Sequence, residues 1–324
     1  MSQFIVEVVP VKLEKHPDAD SLSIAFVKGW QCVVKTSDFE GKSFGAYIPI
    51  DSIVPDTYEW EFMRSRNFRV KTIKLRKVLS QGLLVPAKEG WEEGQDVTEE
   101  LGVKKYEPPD PVSFGGDNAP NVAGFSYKTD IERIQNYPEV FHDKDPVIIT
   151  EKIHGTNYRF GIVENVFYVG SHFNIKKHPG GSIYSLVATK YDLENRVVEA
   201  FKSYDEDVIF YAEIYGKSIQ GSFTYGLTVQ DFVVFDVQVN GKFVDWDELQ
   251  IICERIGFKT PPVLYRGPFS LKKVEALADG LTVLGNGSHI REGVVIRSEE
   301  EQLDNYVGRK WIKMISNAYL LKEK

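Results

Sequence analysis

The chain has 324 residues, of which 42% are hydrophobic and 27% charged, the balance of an ordinary globular protein. Its length suggests two domains. The formal net charge of −8 argues against a protein that coats nucleic acid through backbone charge alone, because such proteins are usually basic. The two cysteines, Cys32 and Cys253, lie too far apart to form a metal motif or a redox pair. The sequence opens without a signal-peptide pattern and has no apolar run near the roughly 18 residues of a membrane span, which predicts a cytoplasmic protein without membrane contact.

Residues 1–105 show short β-strand patterns separated by turn residues, several of which alternate apolar with polar side chains. These runs are FIVEVV, LSIAFVKG, WQCVVK, GAYIPI, FRVKTIKLR and QGLLVPA. Many short strands in a small domain are typical of an OB-like β-barrel. The stretches His16–Ile24 and Lys74–Val85 resemble the OB domain of the tRNA-binding and phenylalanyl-tRNA synthetase β type. We therefore predict an OB-fold nucleic-acid-binding module, with a barrel that serves only as a packing module as the alternative.

A basic run lies within this predicted barrel, formed by Lys71, Lys74, Arg76 and Lys77. It is a candidate RNA contact surface, because phosphate groups attract clustered lysine and arginine side chains. The alternative is a solvated strand face with no ligand.

Residues 106–121, YEPPDPVSFGGDNAPN, are rich in Pro, Gly, Asp and Asn, a composition that predicts a linker. The next segment, YKTDIERIQNYPEVF, predicts a short helix capped by Thr129 or Asp130 and ending before Pro138.

Residues 122–324 form the second predicted domain, of α+β class and built on antiparallel sheets. Its predicted strands are PVIITEKI, YRFGIV, VFYVGS, VIFYAEIYG, DFVVFDVQVNGKFV, EGVVIRS and KWIKMIS. Helices are predicted near SLVATKYDLENRVVEAFKSY and WDELQIICERIG, the second ending at Gly257.

Lys152 follows a predicted buried strand and precedes a glycine turn. A lysine presented into a cleft at a strand end would be desolvated, which lowers its pKa and makes the neutral amine available as a nucleophile. The alternative is an ordinary lysine at a strand edge.

The string Glu151-Lys152-Ile153-His154-Gly155-Thr156-Asn157 resembles motif I of the covalent nucleotidyltransferases, which comprise DNA ligases, RNA ligases and mRNA capping enzymes. His at the third position and Asn at the sixth resemble RNA ligases. This resemblance implies that Lys152 carries AMP, that Glu151 and Asn157 contact the nucleotide, and that His154 acts in the later, RNA-dependent steps.

The other family motifs follow in order. YVGS resembles the second motif, although the usual Arg after Ser is His172 here. YAEIYG resembles motif III, which implies that Glu213 binds the ribose. DFVVFDV resembles motif IIIa, which implies that Phe235 stacks on adenine, with Asp236 beside it as a metal ligand. The alternatives are a strand-end carboxylate and a core phenylalanine.

Motifs IV and V complete the series. REGVVIRS resembles motif IV, which implies that Glu292 works through a metal ion. GRKWIKMIS resembles motif V, whose lysines hold phosphates; Lys313 is the better match and Lys310 a second candidate. The family's frequent second lysine, two places after Lys313, is Ile315 here. The alternatives are a surface carboxylate and a solvated lysine face.

The order of these motifs resembles ATP-dependent RNA ligases of the Deinococcus and Naegleria type, in which an N-terminal OB domain precedes an antiparallel-sheet nucleotidyltransferase (ATP-grasp-like ligase adenylation) domain. The resemblance implies ATP and Mg²⁺ or Mn²⁺ as cofactors, nicked duplex RNA as substrate, and a monomer. The competing hypotheses are a capping-type guanylyltransferase, a DNA ligase, and a non-enzymatic nucleic-acid-binding protein with a decayed transferase domain.

Overall fold

The computed structural model describes residues 4–106, 117–126, 130–201 and 206–322. Within them the chain divides into two compact units. The first comprises residues 4–106, 133–139 and 320–322, and the second comprises 117–126, 130–132, 140–201 and 206–319. Most of the predicted linker, residues 107–116, lies outside the described residues.

The first unit consists of short antiparallel strands, as the alternating pattern predicted. Its sheets have the strand orders β1-β5-β10, β2-β3-β4 and β11-β6-β7, and β8 and β9 form a separate two-stranded ribbon. The strands are β1 (Glu7–Pro10), β2 (Leu13–Lys15), β3 (Leu22–Val27), β4 (Trp30–Lys35), β5 (Phe44–Ile48), β6 (Ser52–Ile53), β7 (Arg69–Val70), β8 (Ile73–Leu75), β9 (Val78–Ser80), β10 (Leu83–Pro86) and β11 (Lys104–Lys105), with 3₁₀ helices at Thr36–Phe39 and Tyr58–Arg66.

The helix predicted over YKTDIERIQNYPEVF is wrong. The described part of this segment forms the two-residue strand β12 (Glu132–Arg133) followed by turns, and the proposed cap Thr129 lies outside the described residues. Tertiary contacts within the first unit hold the turn: the Gln135 carbonyl accepts from the Gly29 N–H at 2.9 Å. The Asn136 side chain accepts from the Trp30 indole at 2.7 Å. These contacts override local helix propensity, which is a weak determinant by itself.

The second unit is an α+β domain with antiparallel sheets, the predicted fold class. Its strands are β13 (Pro146–Lys152), β14 (Thr156–Val163), β15 (Val166–Gly170), β16 (Ile175–Lys176), β17 (Val208–Gly216), β18 (Gln230–Val239), β19 (Lys242–Phe243), β20 (Val263–Pro268), β21 (Gly293–Ser298), β22 (Leu303–Asp304), β23 (Gly308–Arg309) and β24 (Trp311–Ile315). Its helices are α1 (Ile183–Lys190), α2 (Leu193–Phe201), α3 (Trp246–Ile256), α4 (Leu271–Ala278) and α5 (Asn317–Leu320), the last of which ends one residue beyond the unit. Among the described residues, no helix is both long and apolar enough to cross a membrane.

Two sheets organise the second unit. One has the order β16-β15-β14-β17-β18-β19, and the other includes β24-β21-β13-β20 side by side. One face of the six-stranded sheet packs with α1, α2 and α3 around a core that includes Phe160, Phe210 and Phe258. Helix α3 ends at Gly257, whose φ of 77° is left-handed, as predicted from the sequence.

Two glycines of the motif I region lie against β17 with no room for a side chain. A Cβ on Gly155 would overlap the Ile214 carbonyl oxygen, and a Cβ on Gly161 would overlap the Val208 carbonyl oxygen. The glycines therefore let the turn after Lys152 and the strand that follows approach β17 closely.

Candidate active site

A cavity of about 240 Å³ lies in the second unit, between its two sheets. Strand β13 reaches it with its last residues, β14 and β17 with one residue each, and β18 and β24 with aromatic and basic side chains. Six of the residues that the sequence predicted for nucleotide binding line it: Glu151, Lys152, Asn157, Glu213, Phe235 and Lys313. The structure thus brings together residues that are up to 162 positions apart, from Glu151 to Lys313.

Lys152 forms an ion pair with Glu292 at the end of β13. Its Nζ donates to Glu292 Oε1 at 2.7 Å, and the side chains are 24% and 10% exposed. Burial raises the pKa of Glu292, but the charges of Lys152 and His154 outweigh burial and lower it to about 2. The carboxylate is therefore ionised and stabilises the ammonium form of Lys152. The sequence predicted a lysine made neutral by desolvation, whereas the structure pairs it with a charge.

The second oxygen of Glu292 is differently placed. Glu292 Oε2 is buried without a hydrogen-bond partner, and the nearest imidazole nitrogen, His154 Nδ1, lies 3.6 Å away. A buried carboxylate oxygen left without a partner is costly. It therefore offers a ligand atom to a cation that enters the site.

Glu213 lies directly opposite Asn157 across the β14–β17 pair. Burial raises the pKa of Glu213 to about 8, and the negative charge of Glu292 adds to this, while Lys152 opposes it. At neutral pH the carboxyl group is therefore mostly protonated, and it can both donate and accept a hydrogen bond.

His154 lies outside the cavity lining, in an aromatic cluster beside Glu292. Its ring meets Phe223 at 4.8 Å and Tyr319 at 5.3 Å between centroids, both edge-on. The Tyr319 hydroxyl lies 3.2 Å from Nε2 and 3.4 Å from Nδ1 of the imidazole. Tyr319 thus restrains the ring that neighbours the Glu292 carboxylate.

The turn after Lys152 is also clasped through its backbone. The His154 N–H donates to the Tyr225 hydroxyl at 2.7 Å, and the Gln220 side chain donates to the Gly155 carbonyl at 2.7 Å. Both side chains come from the loop between β17 and β18. Tyr225 has a φ of 54°, a left-handed conformation that is unusual for a bulky residue. This loop fixes the position from which Lys152 projects.

Glu151 does not present its carboxylate to a ligand. Its side chain is fully buried and accepts hydrogen bonds from the Thr282 hydroxyl at 2.5 Å, the Val283 N–H at 2.8 Å and the Leu284 N–H at 3.3 Å. All its strong acceptor sites face the turn before β21. This corrects the predicted role: the Glu151 side chain anchors that turn, and only the rest of the residue borders the cavity.

Asp236 faces away from the cavity that its neighbour Phe235 lines. Its buried carboxylate accepts from Arg309 Nη1, and Arg297 lies 3.9 Å away. Arg309 also pairs with Glu301 at 2.6 Å. A carboxylate held by two guanidinium groups is not available to a metal ion, so the arrangement does not support the predicted metal role of Asp236.

The two candidate lysines of motif V separate. Lys313 lines the cavity, opposite Val295 in the β21–β24 pair. Lys310 does not line it and instead pairs with Asp145 at 2.9 Å, over the Phe141 ring. The geometry assigns the cavity position to Lys313 and corrects the assignment of Lys310.

The structure adds cavity residues that the sequence did not single out. His172 stands where the family usually has Arg, and burial lowers its pKa, which favours the neutral ring. Trp311 meets Phe235 edge-on with 6.2 Å between ring centroids. Trp311 is two residues before Lys313 on the same strand, so its alternation with Lys313 was a signal that could have found it.

The metal-binding capacity of the described residues is limited. No group of three or more His, Cys, Asp or Glu residues within them could hold a metal ion by itself. Glu292, with its unpartnered Oε2, fits as one protein ligand, and the remaining ligands of a hard cation would be substrate phosphates and water.

Comparisons with known proteins agree with this geometry. Three solved structures of Naegleria gruberi RNA ligase match 98% of this chain and 98% of theirs: a variant with ATP and Mn (25% identity, TM-score 0.81), a variant with AMP and Mn (26%, 0.82) and the protein with PPi (25%, 0.81). No curated protein matches the chain by sequence. An OB-fold domain model matches residues 5–87, which confirms the predicted OB fold. The RNA ligase family model matches residues 145–315, more than half of the chain. The chain belongs to the RNA ligase family.

Proposed function

We propose that this chain is an ATP-dependent RNA ligase that joins 3′-OH and 5′-phosphate RNA ends through a lysyl-AMP intermediate. The observation that carries the proposal is the position of Lys152, at the edge of a cavity that also contains Glu213, Phe235 and Lys313. A nucleophilic amine, a ribose partner, an aromatic ring and a cation are the groups that nucleotidyl transfer from ATP requires.

The reaction has three transfers. In the first, the neutral amine of Lys152 attacks the α-phosphorus of ATP, an N–P bond forms, and pyrophosphate leaves while the amine loses its proton. In the second, AMP passes to the RNA 5′-phosphate and forms a 5′-5′ anhydride. In the third, the RNA 3′-OH attacks that anhydride and AMP is released. His154, outside the cavity lining but beside Glu292, is positioned to act in the later transfers.

The side chains have separable tasks in the first transfer. Phe235 stacks on adenine, and the mostly protonated Glu213 exchanges hydrogen bonds with a ribose hydroxyl without adding charge near the phosphates. Lys313 stabilises the charge that develops on the phosphate oxygens. Mg²⁺ or Mn²⁺ held by Glu292 would supply further positive charge and compete with Lys152 for the carboxylate. The neutral side chain of Asn157, opposite Glu213, contributes hydrogen bonds only.

The substrate and organisation are part of the proposal. Residues 1–105 form the OB module that grips RNA, 106–121 the linker and 122–324 the adenylation domain, and the protein acts as a cytoplasmic monomer on nicked duplex RNA. The OB match at residues 5–87 supports the first assignment.

The test is incubation with α-labelled ATP, in parallel with α-labelled GTP, followed by a denaturing gel. We expect a labelled protein with ATP only, and no label on Lys152→Ala. Lys152→Ala should still seal pre-adenylated RNA, because that substrate enters after the lysine has acted. A label acquired from GTP would instead indicate a capping-type enzyme, and an adduct that persists in Lys152→Ala would refute the nucleophile.

A further inference from the structure

The ribbon β8–β9 in the first unit ends in an unusual turn. Leu75 pairs with Val78, so only Arg76 and Lys77 connect the strands. Their φ angles are 45° and 70°, both left-handed. A two-residue hairpin turn with two left-handed residues favours Asn-Gly or Asp-Gly, because side chains with a Cβ are strained there.

Two other hairpins in the described chain show what this turn normally contains. The β18–β19 turn is Asn240-Gly241, with φ of 48° and 77°, and the β14–β15 turn is Glu164-Asn165, with φ of 51° and 62°. Both use at least one residue that tolerates the left-handed region. The Arg76-Lys77 turn uses none, so these side chains are retained against a conformational cost.

The base of the ribbon is fixed to the barrel. Ser80 Oγ accepts from the Val33 N–H at 3.0 Å, and the Gln31 side chain donates to the Leu79 carbonyl at 2.8 Å. Buried His16 lies with Nε2 3.3 Å from the Leu75 carbonyl, next to the turn. The turn therefore cannot relax by a shift of the strands.

The tip carries charge into solvent. Lys74, Arg76 and Lys77 are exposed, whereas Lys71 is half-buried. Lys77 is 90% exposed, and its only printed ion pair, with Asp18, is long at 3.8 Å. Exposed pairs of this length contribute little. On a chain of net charge −8, a rigid ribbon that ends in adjacent cations fits a polyanionic backbone.

We propose that the Arg76-Lys77 turn is a contact for the phosphate backbone of RNA, kept at the expense of local stability. The proposal rests on the RNA ligase function given above and locates its RNA contact in two residues. The strain is explained because neither Asn nor Gly at these positions could supply the charges.

The experiment replaces the turn with the residues its backbone prefers, Arg76→Asn/Lys77→Gly. The thermal unfolding midpoint should rise by a few degrees, because the strain is relieved. Binding to a nicked RNA duplex, followed by fluorescence anisotropy without ATP, should weaken about tenfold near physiological salt. The slope of log K against log salt should become less steep by about 1.5, as expected for two lost phosphate contacts. Formation of the Lys152 adduct should be unchanged.

Three variants serve as controls. Arg76→Gln/Lys77→Gln removes the charges but keeps the strain, so it should weaken binding without raising the midpoint. Glu164→Asn/Asn165→Gly relieves a similar turn in the other unit and should raise the midpoint without weakening binding. Lys104→Gln/Lys105→Gln removes two exposed charges elsewhere in the first unit and should leave the salt slope unchanged.

The outcomes are separable from those of the proposed function. If Arg76→Asn/Lys77→Gly binds with wild-type affinity and salt slope, the turn does not contact RNA, although the ligase activity stands. A lower midpoint in that variant would overturn the strain argument. If the unaltered protein forms no Lys152 adduct with ATP, the proposed function fails whatever the turn does.

Discussion

The ion pair between Lys152 and Glu292 predicts that Lys152→Met lowers the free energy of unfolding in the absence of any substrate. The pKa of Glu292 is about 2, against a usual value of 4.5. This difference of about 2.5 corresponds to roughly 3 kcal/mol at 1.36 kcal/mol for each pKa unit. Because His154 supplies part of the effect, we expect about 2 kcal/mol from the loss of Lys152. For a unit of this size that is a fall of about 4–8 °C in the unfolding midpoint.

The pH dependence gives this prediction its sign. In the unaltered protein the lowered pKa of Glu292 contributes stability that is complete above pH 4.5 and is lost as the pH falls towards 2. Without Lys152, burial remains and favours the protonated carboxyl, so the variant loses less stability as the pH falls. The difference between the two proteins should therefore narrow between pH 7 and about pH 3.

The assay is urea denaturation at several pH values, with Lys259→Met as the matched control. Lys259 also pairs with a carboxylate, Asp231, at 2.8 Å, but it is 64% exposed, so its loss should cost less than about 1 kcal/mol. Lys152→Met/Glu292→Met should recover part of the loss, because no charge is left unpaired. A Lys152→Met protein as stable as the unaltered one at pH 7 would refute the reasoning.

Three further predictions concern the surroundings of Lys152. Gly155→Ala and Gly161→Ala both push a Cβ into a carbonyl oxygen of β17 and should each destabilise by about 1–3 kcal/mol, yet only Gly155→Ala should slow adduct formation by the protein that remains folded. Glu213→Gln should preserve ribose binding at pH 7 and abolish any change in ATP affinity near pH 8, which isothermal titration across pH would measure; an unchanged inflection would assign it to another group. Tyr319→Phe should slow sealing of pre-adenylated RNA through its contact with His154, so in the background of His154→Ala it should have no further effect, whereas additive losses would contradict a positioning role.

Much of the fold follows from local patterns in the sequence. The strand β13 combines five buried residues with an exposed start, and the amphipathic α3 ends at Gly257, so periodicity and capping locate both. The segment around Gln135 could not be predicted in this way. Its helical periodicity is real, but its backbone groups bond to Gly29, more than 100 residues earlier in the chain. Such a contact leaves no trace in local composition.

The limits of sequence reasoning in the site have a similar origin. Motif order correctly brought Lys152, Glu213 and Lys313 to one cavity. It could not decide between Phe235 and Asp236, because adjacent residues of a strand point to opposite faces and only one of them can line the cavity. The register of β18 is also interrupted by a bulge where it pairs with β17, between Tyr211 and Ala212. The choice of face therefore depends on sheet geometry and on the distant arginine that receives Asp236.

The two carboxyl groups beside Lys152 explain how the cavity can receive a highly charged nucleotide. Two buried carboxylates close to one another do not both ionise readily, and the pKa values of about 8 for Glu213 and about 2 for Glu292 divide the roles. Glu292 holds the negative charge because it is the one that Lys152 contacts, so the pair is electrically neutral and Glu213 adds no charge. The polyphosphate of ATP then meets the cation of Lys313 without an opposing free carboxylate. Once Lys152 is bonded to AMP it can no longer be an ammonium group, and Glu292 loses its partner. The first transfer thus releases the carboxylate, beside His154, for the steps that involve RNA.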